Sequence, residues 1–144
     1  MLVIRKANIF DVAILLDWRN DETTRIGSVN SKRIDYQNHI VWLNEILDNT
    51  ESVVYIAEDG EEQVGTVRVE SHEFSSTLSW TIAPEHRGKG YGKQLVKQIA
   101  DELDGKLVAL IKPENIASQS IAKHAGLKFL ETRDGLMFYF RGEI

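Results

Sequence analysis

The sequence predicts one α/β (α+β) domain in which about four helices flank a mixed sheet. Apolar segments of strand length alternate with amphipathic segments of helix length, in the order β-α-α-β-β-β-α-β-α-β-β. The chain has 144 residues, 42% hydrophobic and 27% charged, so it is long enough to bury a full core. Because no repeat, low-complexity tract or linker divides it, we expect residues 1–144 to form a single domain.

The N-terminal third is predicted to contain one strand and two helices. Residues 2–7 have the apolar character of a strand, and Asn8 can cap a helix over roughly residues 10–19. Residues 35–47 form a second helix, because their large apolar side chains recur near one face. These side chains are Ile40, Leu43, Ile46 and Leu47.

Three successive strands are predicted in the middle of the chain. Residues 52–58 form the first, and Asp59-Gly60 is a signal for a hairpin turn. Residues 63–70 form the second and alternate between two faces, one of which carries Thr66, Arg68 and Glu70. The third covers residues 77–83 and ends at Pro84, because proline cannot donate to a strand ladder.

The C-terminal part of the chain alternates between helices and strands. We predict helices over residues 91–103 and 115–125, and strands over residues 107–111, 129–133 and 136–141. Pro113 follows the first of these strands, and Gly126 lies at the C-terminal end of the second helix. Asp134-Gly135 is the turn between the last two strands. The complete sheet should be mixed and mostly antiparallel.

Composition excludes several classes of function. The net charge of −5 makes nucleic acid and anionic membranes poor partners. The absence of cysteine excludes disulfides, thiolate zinc sites and a catalytic thiol, and the four histidines show no metal-ligand spacing, so we expect no metal. No apolar run approaches the ~20 residues of a membrane span, and residues 1–6 do not resemble a signal peptide. We therefore expect a cytoplasmic protein, monomeric or homodimeric.

A glycine-rich segment between a predicted strand and helix has the composition of a phosphate site. It reads Arg87-Gly88-Lys89-Gly90-Tyr91-Gly92 and is followed by Lys93. Glycines leave backbone N–H groups uncovered, and the start of a helix adds its own unpaired N–H groups and the positive end of its dipole. The spacing matches neither the dinucleotide fingerprint nor a Walker A loop. Cationic side chains around the glycines of an acidic chain favour an anion over a plain flexible turn.

These residues resemble the acetyl-coenzyme A motif of the GCN5-related N-acetyltransferases, the GNAT family, which has the form Arg/Gln-x-x-Gly-x-Gly/Ala. A second family motif, Asn-x-x-Ser/Ala, is matched one strand later by Asn115-Ile116-Ala117-Ser118. The order of the elements also resembles that of the family along almost the whole chain. The resemblance implies direct transfer of an acetyl group from acetyl-CoA to a primary amine of a small molecule, in a ternary complex and without a metal.

The resemblance also implies which residues hold acetyl-CoA. The pyrophosphate would lie on the glycine-rich segment, and the pantetheine arm between two strands that splay apart, those ending at residues 83 and 111. The implied cofactor contacts are Ile82, Ala83, Arg87, Gly88, Lys89, Gly90, Tyr91, Gly92, Lys93, Asn115 and Ser118.

The catalytic groups are less well defined by the sequence. Many family members have a tyrosine acid seven residues after the motif asparagine, where this chain has Ala122. Ser118 is our candidate for the acid, with His124 and Tyr139 as alternatives. Glu70 is our candidate for the general base, with His72 and Glu73 as alternatives. A solvated pair of Glu70 with Arg68 is an equally good interpretation.

The candidate acceptor-binding residues are Arg19, Asn20, Arg68 and Glu70. The run Trp18-Arg19-Asn20 is similar to GNAT enzymes that acetylate nucleotide-linked amino sugars, in which case Arg19 would meet a phosphate. Polyamines, amino acids, antibiotics and protein N-termini stay open as acceptors. Because Ala122 replaces the usual tyrosine, a non-catalytic acetyl-CoA-binding regulatory module is the alternative function.

Overall fold

The computed structural model describes residues 2–28 and 31–142, which form seven strands and five helices. The helices are α1 (Val12–Asn20), α2 (Glu22–Gly27), α3 (Tyr36–Asp48), α4 (Tyr91–Glu102) and α5 (Ile116–His124). The strands are β1 (Leu2–Lys6), β2 (Ser52–Asp59), β3 (Glu62–Ser71), β4 (Ser76–Ile82), β5 (Leu107–Ile111), β6 (Lys128–Arg133) and β7 (Leu136–Arg141).

The strands form one sheet in the order β1-β2-β3-β4-β5-β7-β6. Every neighbouring pair is antiparallel except β4 and β5, which run parallel. The predicted mixed, mostly antiparallel sheet is therefore confirmed. Its two edges are β1 and β6.

The parallel pair β4–β5 separates soon after it begins. Only Ser76 with Leu107 and Thr77 with Val108 are paired across it, whereas β3 stays paired with β4 as far as Ile82. The backbone edges of residues 78–82 and 109–111 therefore face each other across a gap in the sheet. This gap positions the candidate site.

Helices cover both faces of the sheet. Alternate residues of β2 face opposite layers, so that Val54 and Ile56 pack with α1 and α3, while Ala57 belongs to the larger core under α4 and α5. Leu43 of α3 and Leu95 of α4 are both fully buried at these interfaces. This arrangement is the three-layer domain that the sequence predicted.

The start of the chain differs from the prediction in detail. A 3-10 turn over Ile9–Asp11 precedes α1, and Asn8 caps that turn by accepting a hydrogen bond from the Phe10 N–H at 2.9 Å. Asp11 in turn accepts from the Asn8 N–H, which completes a capping box. The helix predicted from residue 10 consequently begins at Val12.

Helix α2 was missed by the sequence analysis. Its six residues are too few to show an apolar period, and none of them is buried. The signal present was its N-cap, because the Asp21 carboxylate accepts a hydrogen bond from the Thr24 N–H at 3.1 Å. Within residues 2–28 and 31–142, no helix has the length and apolar character needed to cross a membrane.

Candidate active site

A continuous cleft follows the gap between β4 and β5 and has two parts. The part beside the glycine-rich segment, here the loop chamber, has a volume of about 550 Å³. The part beneath α1 and α3, here the tryptophan chamber, has a volume of about 440 Å³. Both are lined by Gly27, Ser28, Trp80, Thr81, Asn115 and Ser118, so the two chambers meet at the centre of the cleft.

The glycine-rich segment has the backbone geometry of an anion site. Gly88 and Gly90 have φ angles of 77° and 83°, in the left-handed region that favours glycine. Gly90 is the N-cap of α4, and the first helical hydrogen bond runs from the Gln94 N–H to the Gly90 carbonyl. The N–H groups of residues 91–93 therefore precede the helical ladder and are directed toward the loop chamber, where they can bind phosphate.

The Arg87 side chain is engaged by α2 and not by the anion site. It donates to Thr24 Oγ1 at 2.7 Å and forms an ion pair with Asp21 at 3.0 Å. Burial raises the pKa of Asp21, but the Thr24 N–H and Arg87 outweigh it and hold that pKa below its usual value. The local positive charge of the segment therefore comes from the exposed Lys89 and Lys93, which corrects the expectation that Arg87 supplies part of it.

Tyr91 anchors the start of α4 to the sheet. Its hydroxyl donates to Asp59 at 2.5 Å, at the end of β2, and its ring meets the buried His86 edge-on at 5.7 Å. The hydrogen bond to Asp59 raises the pKa of Tyr91 and lowers that of Asp59. The glycine-rich segment is thus held at a fixed position relative to β2.

Helix α2 lies across the cleft and forms part of its wall. At its start it is tied to the glycine-rich segment through Arg87, and at its end Lys112 donates to the Ile26 carbonyl at 3.0 Å. Gly27 lies against Asn115, because a Cβ at position 27 would be 2.9 Å from the Asn115 side-chain nitrogen. Asn115 itself caps α5 by accepting from the Ser118 N–H at 3.1 Å.

Gly92 allows α4 and α5 to pack closely beside the loop chamber. A Cβ at this position would lie 2.5 Å from Cδ1 of Ile121 and 3.3 Å from Cγ1 of Ile82. Gly92 is buried and helical. It therefore has a packing role in addition to its predicted role in the phosphate-binding segment.

We expect Gly92→Val to destabilise the fold by about 2 kcal/mol, because extra methyl groups in a packed core force strain. Urea unfolding of Gly92→Val, Ile121→Val and the double variant measures this. Removal of the Ile121 Cδ1 should recover part of the loss in the double variant. Strict additivity of the two single effects would contradict the proposed contact.

The tryptophan chamber contains all three tryptophans of the chain, Trp18, Trp42 and Trp80, together with Arg19 and Arg68. The Arg68 guanidinium lies 5.7 Å from the centroid of the Trp42 ring. Burial lowers the pKa of His39; a hydrogen bond with the backbone of Val12 opposes this, and the positive charge of Arg19 contributes a smaller lowering.

His39 is the residue of this chamber that sequence reasoning missed. It is 3% exposed and stacks on Trp42 at 5.4 Å. Its Nε2 has no hydrogen-bond partner among the described residues. Its position one turn before Leu43 on the apolar side of α3 was the available signal, but histidine was considered only as a metal ligand.

The cleft brings together most of the predicted cofactor-binding residues. Those that line it are Ile82, Arg87, Gly88, Gly90, Tyr91, Gly92, Lys93, Asn115 and Ser118. Ala83 does not line it, because this residue is fully buried and its N–H donates to the Val64 carbonyl at 2.8 Å. Lys89 lies exposed on the same segment.

Only some of the predicted acceptor-binding and catalytic residues line the tryptophan chamber. Arg19, Arg68 and Ser118 line the tryptophan chamber. Glu70 is not among the described lining residues of the tryptophan chamber. Its carboxylate lies 2.8 Å from Arg68 Nε, but the geometry is not that of a hydrogen bond. The Asn20 side chain donates to the Ile34 carbonyl at 2.6 Å and accepts from the Ile34 N–H at 2.7 Å. Asn20 therefore positions Ile34, which lines the chamber.

The alternatives for a general acid lie away from the cleft. Tyr139 is buried and donates to Gln119 at 3.2 Å, and burial raises the pKa of Tyr139. His124 is exposed at the end of α5. Ala122, where the family resemblance places a tyrosine, is fully buried in the core.

A seven-stranded sheet parted between two parallel strands, with a glycine-rich helix start at the gap, defines an acetyltransferase of the GNAT class. The model of the family described as "Acetyltransferase (GNAT) domain" matches residues 1–128. The chain therefore belongs to the GNAT acetyltransferase family and is an N-acetyltransferase.

One curated relative supports this membership. The chain is 27% identical over 126 residues to the uncharacterized N-acetyltransferase YfmK of Bacillus subtilis (strain 168), covering 85% of this chain and 82% of the relative. The two proteins are therefore similar over nearly their full lengths.

Solved structures share the fold. The spermidine N-acetyltransferase of Vibrio cholerae, in complex with CoA and spermine, has a TM-score of 0.86 at 16% identity over 97% of this chain and 94% of that one. Aminoglycoside acetyltransferase AAC(6')-Ib, with coenzyme A and kanamycin, has a TM-score of 0.82 at 18% identity over 99% and 95%. YncA of Salmonella typhimurium, with acetyl-CoA, has a TM-score of 0.78 at 21% identity over 98% and 93%.

Proposed function

We propose that this chain transfers an acetyl group from acetyl-CoA directly to a primary amine of a small molecule, within a ternary complex and as a single domain over residues 1–144. The observation that carries the proposal is the parting of β4 and β5 after Thr77 and Val108, with the glycine-rich segment at one end of the gap. Solved relatives with this fold were obtained with CoA or acetyl-CoA, which supports the same donor here.

The loop chamber fits the pyrophosphate of coenzyme A. A Cβ at Gly88 or Gly90 would meet no atom within 4 Å, so the backbone N–H groups are open to a ligand. Helix N-termini bind phosphate through such groups and through the positive end of the dipole. Lys89 and Lys93 add exposed positive charge beside them. The pantetheine amides would pair with the open backbone edges of β4 and β5.

Ser118 is the proposed catalytic group closest to the junction of the two chambers. It lines both, and its N–H is already used by Asn115, so its hydroxyl is the part available to the reaction. A thiol pKa of about 8.5 makes the departing thiolate a fair leaving group, and a hydroxyl donor would stabilise it further. Glu70 stays a candidate base only if it acts through water, because it pairs with Arg68 outside the described lining.

We expect Ser118→Ala to lower kcat about 10-fold to 100-fold, which is more than it weakens acetyl-CoA binding, because a positioned proton donor contributes at this scale or above. Free thiol release measures kcat, and calorimetry measures Kd. Ser71→Ala, at an exposed position at the end of β3 and outside the lining of both chambers, is the matched control. Wild-type kcat in Ser118→Ala would remove the serine from the reaction.

The acceptor is proposed to be a small amine, and a nucleotide-linked amino sugar stays our candidate from the Trp18-Arg19-Asn20 run. The names of the solved relatives refer to spermidine and aminoglycosides instead. Protein N-termini and a non-catalytic acetyl-CoA-binding role are the alternatives. The test is a panel of these amines with acetyl-CoA, scored by release of free thiol. Thiol release above the hydrolysis rate supports the enzyme, whereas acetyl-CoA binding without release to any amine favours the regulatory module.

A further inference from the structure

We propose that the tryptophan chamber selects an acceptor amine that also carries an anionic group, a carboxylate or a phosphate, bound by Arg19 and Arg68. This inference rests on the proposed function, because it assumes that the acceptor amine binds in the tryptophan chamber. It goes further by naming the acceptor's charge, which opposes that of spermine and kanamycin, the polycations named with the solved relatives.

The charge of the lining carries the inference. Arg19 and Arg68 both line the chamber, and no aspartate or glutamate is among its lining residues in the part of the chain that the structure describes. An acceptor with several ammonium groups would therefore meet like charge without a compensating carboxylate. A carboxylate or phosphate would instead meet guanidinium groups, whose planar array of donors matches the geometry of these anions.

The surroundings of Arg19 show that positive charge accumulates here. Burial is the first cause that lowers the pKa of Arg19, and the positive charges of Arg25 and Arg68 are the next. Glu70, two residues further along β3, offsets part of the charge of Arg68. An anion in the chamber would relieve the repulsion between the charges of Arg19, Arg25 and Arg68.

Two contacts orient the Arg68 side chain in the chamber. Its guanidinium lies over the Trp42 ring on one side, and its Nε is close to Glu70. Trp42 is in turn stacked on the buried His39. An oxyanion would consequently meet a preset donor group, which reduces the entropy lost on binding.

The first experiment compares acceptor amines with and without an anionic group. Glucosamine 6-phosphate is paired with glucosamine, β-alanine with β-alaninamide, and spermidine serves as the polycation. We expect kcat/KM to be at least about tenfold higher for the anionic member of a pair, the size of one good ionic contact. The two pairs distinguish phosphate from carboxylate. Equal or higher kcat/KM for the neutral amines or spermidine would overturn the inference.

Variants connect this preference to the arginines. Arg19→Gln and Arg68→Gln should each lower the anionic preference, the ratio of kcat/KM between the anionic and neutral members of a pair, by about tenfold. Arg25→Gln is the matched control, because it removes the same charge from a residue outside the described lining. An equal effect of all three substitutions would assign the preference to the general field and contradict binding by Arg19 and Arg68.

A second readout does not need turnover. All three tryptophans of the chain line the chamber, so intrinsic fluorescence reports on its occupancy. With CoA saturating, we titrate glucosamine 6-phosphate and inorganic phosphate at constant ionic strength, with chloride as the blank. We expect a saturable change that requires about tenfold more ligand in Arg19→Gln or Arg68→Gln, while circular dichroism verifies folding. No saturable change with either anion would overturn the inference.

The two readouts separate the inference from the proposed function. Thiol release with neutral or cationic amines only, and no anion response of the tryptophans, removes the anionic acceptor but keeps the acetyltransferase proposal. Arginine-dependent anion binding with no thiol release from any amine keeps the anion site and removes the proposed transfer.

Discussion

Gly90→Glu will weaken acetyl-CoA binding on the order of 100-fold. The residue is the N-cap of α4 at the centre of the proposed phosphate site, with a φ of 83°. A carboxylate about 5 Å from one phosphate charge costs about 3 kcal/mol at an effective dielectric constant of 20, and each 1.4 kcal/mol is tenfold in Kd. Isothermal titration calorimetry with acetyl-CoA measures the change.

Gly90→Gln is the matched control for this prediction. It introduces the same side-chain size and the same left-handed backbone strain, about 1 kcal/mol, without the charge. A Cβ at position 90 meets no atom within 4 Å, so both variants should fold. Equal affinity of the Glu and Gln variants would show that the pyrophosphate is bound elsewhere.

Asp11→Ala will destabilise the fold by about 2–3 kcal/mol, because it leaves the Arg5 guanidinium without its buried partner. Asp11 is 4% exposed, accepts two hydrogen bonds from Arg5 at 2.8 Å each, and also closes the capping box with Asn8. For a chain of this size the loss corresponds to a fall in Tm of about 5–10 °C. Thermal and urea unfolding measure it.

Glu58→Ala is the control for the same arginine. Glu58 contacts Arg5 Nε at 3.0 Å but is more exposed than Asp11, so its loss should cost about 1 kcal/mol or less. If the two substitutions cost the same, burial does not determine the contribution of these pairs.

The pH dependence of this pair has a defined sign. Hydrogen bonds from Arg5 hold the pKa of Asp11 below its usual value, although burial opposes them. A folded-state pKa that is depressed contributes stability that is fully present above the unfolded-state pKa, about 3.9, and is lost as the pH falls through the folded-state value. The difference in stability between wild type and Asp11→Ala should therefore be constant at neutral pH and shrink below about pH 4.

The fold was predictable where periodicity and turn chemistry act locally. The alternation of residues 63–70, the Asp59-Gly60 turn and the one-sided apolar pattern of α3 and α4 each predicted the element that the structure contains. Helix α2 was not predictable in this way, because it is held by contacts distant in sequence, Arg87 with Asp21 and Lys112 with Ile26.

The candidate site was predictable where a motif encodes backbone geometry. Glycines at 88 and 90 have positive φ, and Asn115 caps α5, so the donor side follows from residue type and spacing. The proposed acceptor side depends on side chains from many elements, among them Arg19 of α1, His39 of α3 and Trp80 of β4, which no local pattern connects. The ion pair of Arg87 with Asp21 was not predictable either, because the two residues lie 66 positions apart in the chain.

The central claim is that the parted strands and the glycine-rich segment hold acetyl-CoA. The most direct measurement is calorimetric titration of the wild-type chain with acetyl-CoA, supported by the rise in Tm at saturation. We predict one site per chain and, at about 100 times Kd, a stabilisation of about 2.7 kcal/mol. Absence of both heat and thermal stabilisation at millimolar acetyl-CoA would contradict the account.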